Sequence, residues 1–392
     1  MDLPAIMLYL SLASAVRITI AYEYGLLLYY SSIWAAREGD HKNVRSKRGP
    51  LPVHHYAETQ LLLVPNFVSS VPLFAGPINQ KNMQRFLVTG ANKGIGLAVV
   101  KGLLEANKTA FVFLGSRDAT RGQDAVQSLI SENSDLYSGR VEAIAIDVSD
   151  ADSVSRAADV VRTRLSGGSE TPSYLDALIN NAGVAPDEFS TSAFESCVEV
   201  NFRGVVRTTE AFLPLIKPSK GRIVMTSSSS GPSFVAKCSA DRQAVMVNPD
   251  VTRAEIAGLA DECLAIAHSG GDNVAEKFAT AGLSDAQTMG GYGLSKALVN
   301  MYTLQLAREN PSLIVNACTP GMIKTDLAEK LAAKFDKSLE EMGAKSPAEG
   351  AEVLVYLANG DVASSGWYFG SDKQRSPLDR YRNPGSPPYD GK

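Results

Sequence analysis

Residues 86–100 read Phe86-Leu87-Val88-Thr89-Gly90-Ala91-Asn92-Lys93-Gly94-Ile95-Gly96-Leu97-Ala98-Val99-Val100, an apolar strand that turns through three glycines directly into an apolar helix. Glycines spaced G-x-x-x-G-x-G let the backbone turn tightly and approach a pyrophosphate closely, while the N–H groups and the positive dipole end of the new helix face the anion. A Gly-rich loop alone is weak evidence. Here a strand precedes the glycines and a helix follows them, which is the setting this motif requires.

Outward from this turn, apolar runs rich in β-branched and aromatic residues alternate with amphipathic stretches. Strands are expected at Ala110–Leu114, Val141–Asp147, Leu175–Ile179 and Arg222–Thr226, with helices near Ala119–Ser131 and Asp152–Leu165 and a long helix containing Asn201. That alternation predicts an α/β fold with a doubly wound, Rossmann-like parallel sheet covered on both faces. Residues 232–291 interrupt it as a helical insertion. Within them Thr252 and Glu255 have capping-box spacing, and Ile256, Leu259, Ala260, Cys263, Leu264 and Ala267 recur at helical intervals. The alternation resumes with a helix from Tyr292, a strand at Leu313–Ala317, a Thr319-Pro320-Gly321 turn and a short strand at Trp367–Phe369.

The organisation expected is an extension over 1–82, one catalytic domain over 83–370 and an irregular, proline-containing tail over 371–392. The extension is apolar and aromatic at first, then basic from His41 to Arg48. Its uncharged runs before residue 40 are shorter than the ~18 residues of a spanning helix, and the run Thr59–Gln80 contains Pro65, Pro72 and Pro77. Ala13-Ser14-Ala15 resembles a cleavage site, but Asp2 gives the start the wrong charge. The segment therefore reads as a leader, a membrane-associated piece or a mis-assigned start, with Met83 just before the first strand. Membrane contact is expected only through it; otherwise a cytoplasmic location is expected, with organelle targeting as the alternative.

With 392 residues, 45% hydrophobic and 20% charged, the composition is ordinary for a globular protein. A net charge of −4 and the lack of a basic cluster with interleaved aromatics exclude nucleic acid as an expected partner. Cys197, Cys238, Cys263 and Cys318 lack metal-ligand or paired spacing, so small buried thiols in a reducing compartment are expected, and no metal site.

Tyr292 and Lys296 stand at i and i+4 of an expected helix and so face the same small volume. A free tyrosine titrates near 10; a neighbouring ammonium stabilises the phenolate and draws it toward the working range. Taken alone, Tyr-x-x-x-Lys is a common coincidence. The serine run Ser227–Ser230 follows an apolar strand, where a hydroxyl reaches the carboxyl edge of a parallel sheet, the usual ligand crevice.

The ordered set Thr89-Gly90-x-x-x-Gly94-x-Gly96, Asn180-Asn181-Ala182-Gly183, Asn201, Ser228, Tyr292-x-x-x-Lys296 and Pro320-Gly321 resembles the short-chain dehydrogenase/reductase superfamily over about residues 83–370. Asn92–Gly96, Ser116–Gln123, Leu213–Pro218 and the long insertion resemble its monomeric NADPH-dependent carbonyl reductases in particular. The resemblance implies that Tyr292 protonates the carbonyl oxygen as hydride arrives, that Ser228 holds that oxygen, with Ser227 as the alternative, and that Lys296 binds the nicotinamide ribose. It implies that Asn201 anchors a water chain returning the proton. It also places Gly90, Asn92, Lys93, Gly94, Ile95 and Gly96 at the cofactor phosphates, Asp147 and Val148 at the adenine, Asn181, Ala182 and Gly183 at a ribose, and Pro320, Gly321 and Thr325 around the nicotinamide amide.

An NAD-specific site carries an acidic residue at the end of the second strand, where this chain has Ser116. Arg117 and Arg121 next to it, with Lys93, could surround a 2′-phosphate, so NADP(H) is expected. Ketone or aldehyde reduction of a small-molecule substrate is the expected function. The alternatives are a secondary-alcohol or hydroxysteroid dehydrogenase in the oxidative direction, and a non-catalytic NADPH-binding protein. A monomer is expected, because the insertion precedes the Tyr292 helix and is placed to cover its outer surface.

Overall fold

The computed structural model describes residues 83–166, 173–186, 188–325, 328–329 and 338–391. The expectations for the extension over 1–82 lie outside them.

The strands are β1 (Gln84–Val88), β2 (Ala110–Ser116), β3 (Val141–Ala145), β4 (Ala177–Asn180), β5 (Arg222–Thr226), β6 (Ile314–Cys318), β7 (Trp367–Phe369) and β8 (Arg375–Ser376). They lie in the order β3-β2-β1-β4-β5-β6-β7-β8. All neighbours pair in parallel except β7 with β8. Strand period divides the core in two: Leu87, Phe113, Leu178, Ile223 and Val315 face one layer, while Phe86, Val88, Val112, Leu114, Ile179 and Val224 face the other. Burial on both faces explains why the strands read as near-continuous apolar runs and not as alternating ones.

Beneath one face lie α1 (Gly94–Ala106), α2 (Ala119–Glu132) and, later in the chain, a C-terminal helix at Pro347–Asn359. The other face carries α3 (Ala151–Ser166), then α4 (Thr191–Ser196) and α5 (Gly204–Phe212) joined by a π-helix at Cys197–Arg203. The one long helix expected around Asn201 is therefore interrupted. The Asn201 side chain supplies the reason: its Oδ1 accepts the Val184 N–H at 2.8 Å, and its Nδ2 donates to the Val184 carbonyl at 2.8 Å and to Ser295 Oγ at 3.0 Å. Such π-turns are short, rare and concentrated at functional sites.

The insertion forms α6 (Ser230–Val235), α7 (Ala240–Met246), α8 (Arg253–His268) and α9 (Val274–Thr280), starting two residues before the expected boundary. Both capping-box bonds between Thr252 and Glu255 are made, and all six residues of the expected apolar stripe are buried. The stripe packs on α4 and on α10 (Tyr292–Glu309). Ion pairs clip its edges to the neighbouring helices: Arg203 Nη2 with Asp261 at 2.7 Å, and Arg253 with Glu210. Covered in this way, α10 is buried almost all round from Leu294 to Thr303.

The chain after 370 departs from the irregular tail expected. Phe369 pairs with Arg375 across a turn in which Gly370 N–H donates to the Gln374 carbonyl, so the sheet continues past the expected domain end. Lys373, at φ 62°, makes the reversal tight. Among the described residues no helix is long and apolar enough to cross a membrane.

Candidate active site

At the carboxyl end of the sheet, β1 lies between β2 and β4, the point where the strand order reverses and the fold leaves a crevice. The glycine turn fills its rim. Gly90 has φ +62°, and a Cβ there would stand 2.8 Å from Ala182 Cα. On Gly96 it would stand 2.4 Å from the Gly90 carbonyl oxygen and 2.5 Å from Asn181 Nδ2, so only glycine fits either position. Asn181 Nδ2 donates to the Thr89 and Gly90 carbonyls at 3.0 and 3.1 Å, while Thr89 Oγ1 accepts the Asn181 and Ala182 N–H groups at 3.0 Å each. The turn after β1 and the end of β4 are thus one unit. Helix α1 begins without a side-chain cap or an acidic residue in its first turn, leaving its N-terminal dipole to a ligand anion.

At the end of β2, Ser116 is buried and its hydroxyl donates to the Asp118 carbonyl at 2.7 Å. The Asp118 carboxylate is committed locally: it caps α2 through the Arg121 N–H at 2.9 Å and pairs with Arg121 Nε at 3.2 Å. Arg117 and Arg121 are exposed on the same rim. At β3, Asp147 Oδ1 accepts from the Ser149 N–H and hydroxyl at 3.0 and 2.6 Å, and Arg207 Nη1 donates to the Val148 carbonyl at 2.5 Å. Arg207 also holds Glu199, so the π-helix braces the Asp147-Val148 segment.

The reacting end is built by α10 against the end of β5. Met289, Gly290 and Gly291 take φ of 50°, 59° and 82° in succession, a left-handed run that delivers the chain to Tyr292; φ > 0 is strained at a non-glycine such as Met289. The Tyr292 hydroxyl lies near Ser228, whose side chain favours the phenolate. Ser228 Oγ in turn donates to Ser230 Oγ at 3.3 Å and accepts its N–H at 3.2 Å. Ser227 is used differently, its hydroxyl donating to the Lys296 carbonyl at 3.3 Å. Lys296 Nζ donates to the Thr226 carbonyl at 2.8 Å and lies 5.5 Å above the Tyr292 ring.

Burial dominates the electrostatics. It pushes Tyr292 up to about 12, against the opposing hydrogen bond from Ser228, and pulls Lys296 down to about 8. The expected draw of Lys296 on the phenol is outweighed, because the ammonium points at a backbone carbonyl and stands over the ring. At neutral pH the pair is a neutral phenol, able to donate a proton, beside a cation.

One cavity of about 1180 Å³ collects these groups: the glycine turn, Arg117, Arg121, Asp147, Val148, Asn181 to Gly183, Ser228, Tyr292, Lys296, Pro320, Gly321 and Thr325 all line it. Asn201 does not. It is fully buried beneath Val184 and Ser295, so its side chain braces the wall and does not meet a ligand. Sequence reasoning missed Thr89 and Arg207, which position others, and the tail residues Ser371, Ser376, Arg380, Tyr381 and Arg382, which line the cavity from beyond the expected domain end. The four cysteines are free and buried, and among the described residues no cluster of three metal-ligating groups exists.

A family model described as short chain dehydrogenase matches residues 84–245. Carbonyl reductase (NADPH) 1 of Homo sapiens is 34% identical over 283 residues, a match that covers 69% of this chain and 89% of that protein. Short-chain dehydrogenase/reductase 1 of Saponaria officinalis is 32% identical over 286 residues, covering 67% and 87% respectively. The solved structure of salutaridine reductase from Papaver somniferum aligns with a TM-score of 0.57 at 27% identity, covering 73% of this chain and 99% of that one.

Proposed function

The chain belongs to the short-chain dehydrogenase/reductase family, close to the carbonyl reductases, and from that premise we propose that it reduces ketones and aldehydes with NADPH. The observation that carries the reading is the joining, in one cavity, of a glycine cradle with the Ser228–Tyr292–Lys296 cluster. The cradle fits a dinucleotide: a Cβ at Gly90 or Gly96 would fill it, and an uncapped helix start faces it. Bound there, NADPH supplies the hydride. The Ser228 hydroxyl orients the substrate oxygen, and Tyr292 passes its phenolic proton to that oxygen as negative charge develops. Lys296 holds a positive charge near the phenolate left behind, and its ammonium is within reach of a ribose hydroxyl. Asn201 acts through Val184 and Ser295, keeping α10 in register with the wall opposite. A panel of carbonyl compounds, isatin- and quinone-like ones included, followed by NADPH absorbance tests the reading; no turnover of any of them would refute it.

Arg117, Arg121 and Lys93 line the same cavity and would hold a 2′-phosphate at the end of β2, where the neighbouring carboxylate, Asp118, is tied to Arg121 and the α2 start. A charge-assisted hydrogen bond contributes about 1.5–3 kcal/mol, so Arg121→Ala is expected to lower the ratio of kcat/KM for NADPH over NADH by roughly 10- to 100-fold. An unchanged ratio would assign the preference elsewhere.

The Lys296 cation is present at pH 7 and is lost as pH rises through about 8, whereas Tyr292 at about 12 stays protonated throughout. The kcat/KM for carbonyl reduction is therefore expected to be level below pH 7 and to fall to about a tenth by pH 9. A pH–rate profile flat to pH 9.5 would remove Lys296 from that role.

The helices α4 and α10 are covered by α8, whose stripe is buried within the chain. The protein is expected to be a monomer. Light scattering of the full chain that gives a stable dimer or tetramer would overturn this.

A further inference from the structure

The tail that crosses the cavity is held by one buried arginine. Arg382 grips both oxygens of Asp372 at 2.5 and 2.6 Å, donates from Nε to Ser376 Oγ at 3.0 Å and from Nη1 to the Ser386 carbonyl at 2.7 Å, and its side chain is only 7% exposed. Nη2 alone makes both bonds to Asp372 while Nε and Nη1 serve Ser376 and Ser386, so all three nitrogens of the guanidinium are committed to the tail. The latch sits directly on the β7–β8 turn, for a Cβ on Gly370 would stand 2.6 Å from Asp372 Oδ1, while Ser371 packs 3.3 Å from the Cβ position of Gly321. Farther along, Arg375 stacks 4.4 Å from the Trp367 ring centre and 5.2 Å from that of Tyr389, and Arg380 stacks 5.3 Å from the same Tyr389 ring centre. The segment is a fixed wall.

That wall presents Arg380 and Tyr381 to the cavity. Arg380 Nη1 donates to both Asp379 oxygens at 3.0 and 3.1 Å, and of this pair only Arg380 lines the cavity. Met289, Met322, Pro186 and Pro232 add apolar surface to the same cavity. Among the described residues the only carboxylates lining the cavity are Asp118 and Asp147, and both stand at the ends of β2 and β3, on the opposite side of β1 from β7 and β8. An arginine and an aromatic ring on a wall whose own lining residues include no carboxylate favour an anionic ligand with a flat body, which would exchange for the Asp379 pairing of Arg380.

We propose that the substrates this site prefers are aromatic carbonyl compounds that carry a carboxylate, with Arg380 binding the carboxylate and Tyr381 packing on the ring. The inference rests on the carbonyl-reductase reading, and it deepens that reading to a substrate class. An anion at Arg380 could belong either to the substrate or to the dinucleotide phosphates, and the experiment separates the two sources.

The probes are 4-carboxybenzaldehyde and its methyl ester for turnover, and the two corresponding benzyl alcohols for calorimetric binding to the full chain with NADP+. The wild type is expected to bind the acid alcohol at least 10-fold more tightly than the ester. Arg380→Gln is expected to erase that ratio, and Asp379→Asn, which removes the competing counter-ion, to raise it several-fold. A ratio unmoved by Arg380→Gln would overturn the proposal, as would a loss that appears only in the KM for NADPH, which would assign the guanidinium to the cofactor. Should the alcohols bind with the expected ratio while neither aldehyde is reduced, the binding inference stands and the carbonyl-reductase reading fails.

Discussion

Tyr292→Phe is expected to lower kcat for carbonyl reduction on the order of 10²–10⁴-fold while leaving NADPH affinity intact. The substitution keeps the ring that packs under Lys296 and removes only the hydroxyl near Ser228. The developing alkoxide then lacks its proton donor. Because Tyr292 is neutral well above pH 7, the loss is expected at every pH in the working range. Fluorescence titration with NADPH beside stopped-flow turnover checks both halves, and near-normal turnover would show that the proton comes from elsewhere.

Lys296→Met is expected to fail in both respects, with kcat down by a comparable factor and the KM for NADPH raised severalfold. The ammonium is a buried charge whose hydrogen bond goes to the Thr226 carbonyl, so its loss removes the cation beside the phenol together with the donor proposed to hold the ribose. The contrast between the two variants is the informative result. Equal KM values for NADPH in both would argue that Lys296 serves the phenol alone.

Much of this was legible in the sequence, for reasons that differ by residue. The glycine cradle announces itself because close backbone approach admits only glycine at Gly90 and Gly96, and no tertiary context changes that. Tyr292 and Lys296 are legible because helical period alone sets them on one face. The insertion helix was readable to its cap, since Thr252 and Glu255 complete a purely local bond pair.

What escaped the sequence depends on partners far along the chain. The π-turn at Cys197–Arg203 follows from Asn201 meeting Val184 and Ser295, 17 and 94 positions away. Asp118 was not weighed as a carboxylate near the ribose, because its work as a cap and as the Arg121 partner shows only once α2 is placed. The tail reads as proline-rich and irregular, and nothing in its composition reveals that Arg382 would find Asp372 and close it over the cavity. The influence of burial on Tyr292 and Lys296 is equally invisible until the insertion is seen to bury α10 almost all round.

The pairing of β1 with β4 bears on how the molecule comes to be folded. Leu87 lies opposite Leu178, and Arg85 bonds Asp176 across 91 positions, so this contact closes a long loop before any local reward arrives. Adjoining it, the Asn181 bonds to the glycine turn are made only when that loop has closed. The cradle is therefore complete only in chains in which that loop has closed. A dinucleotide can recognise only such chains, and at a concentration 100 times its Kd would stabilise them by about 2.7 kcal/mol. Refolding yield should depend on whether the nucleotide is present while the chain collapses, as well as on how much native protein it later protects.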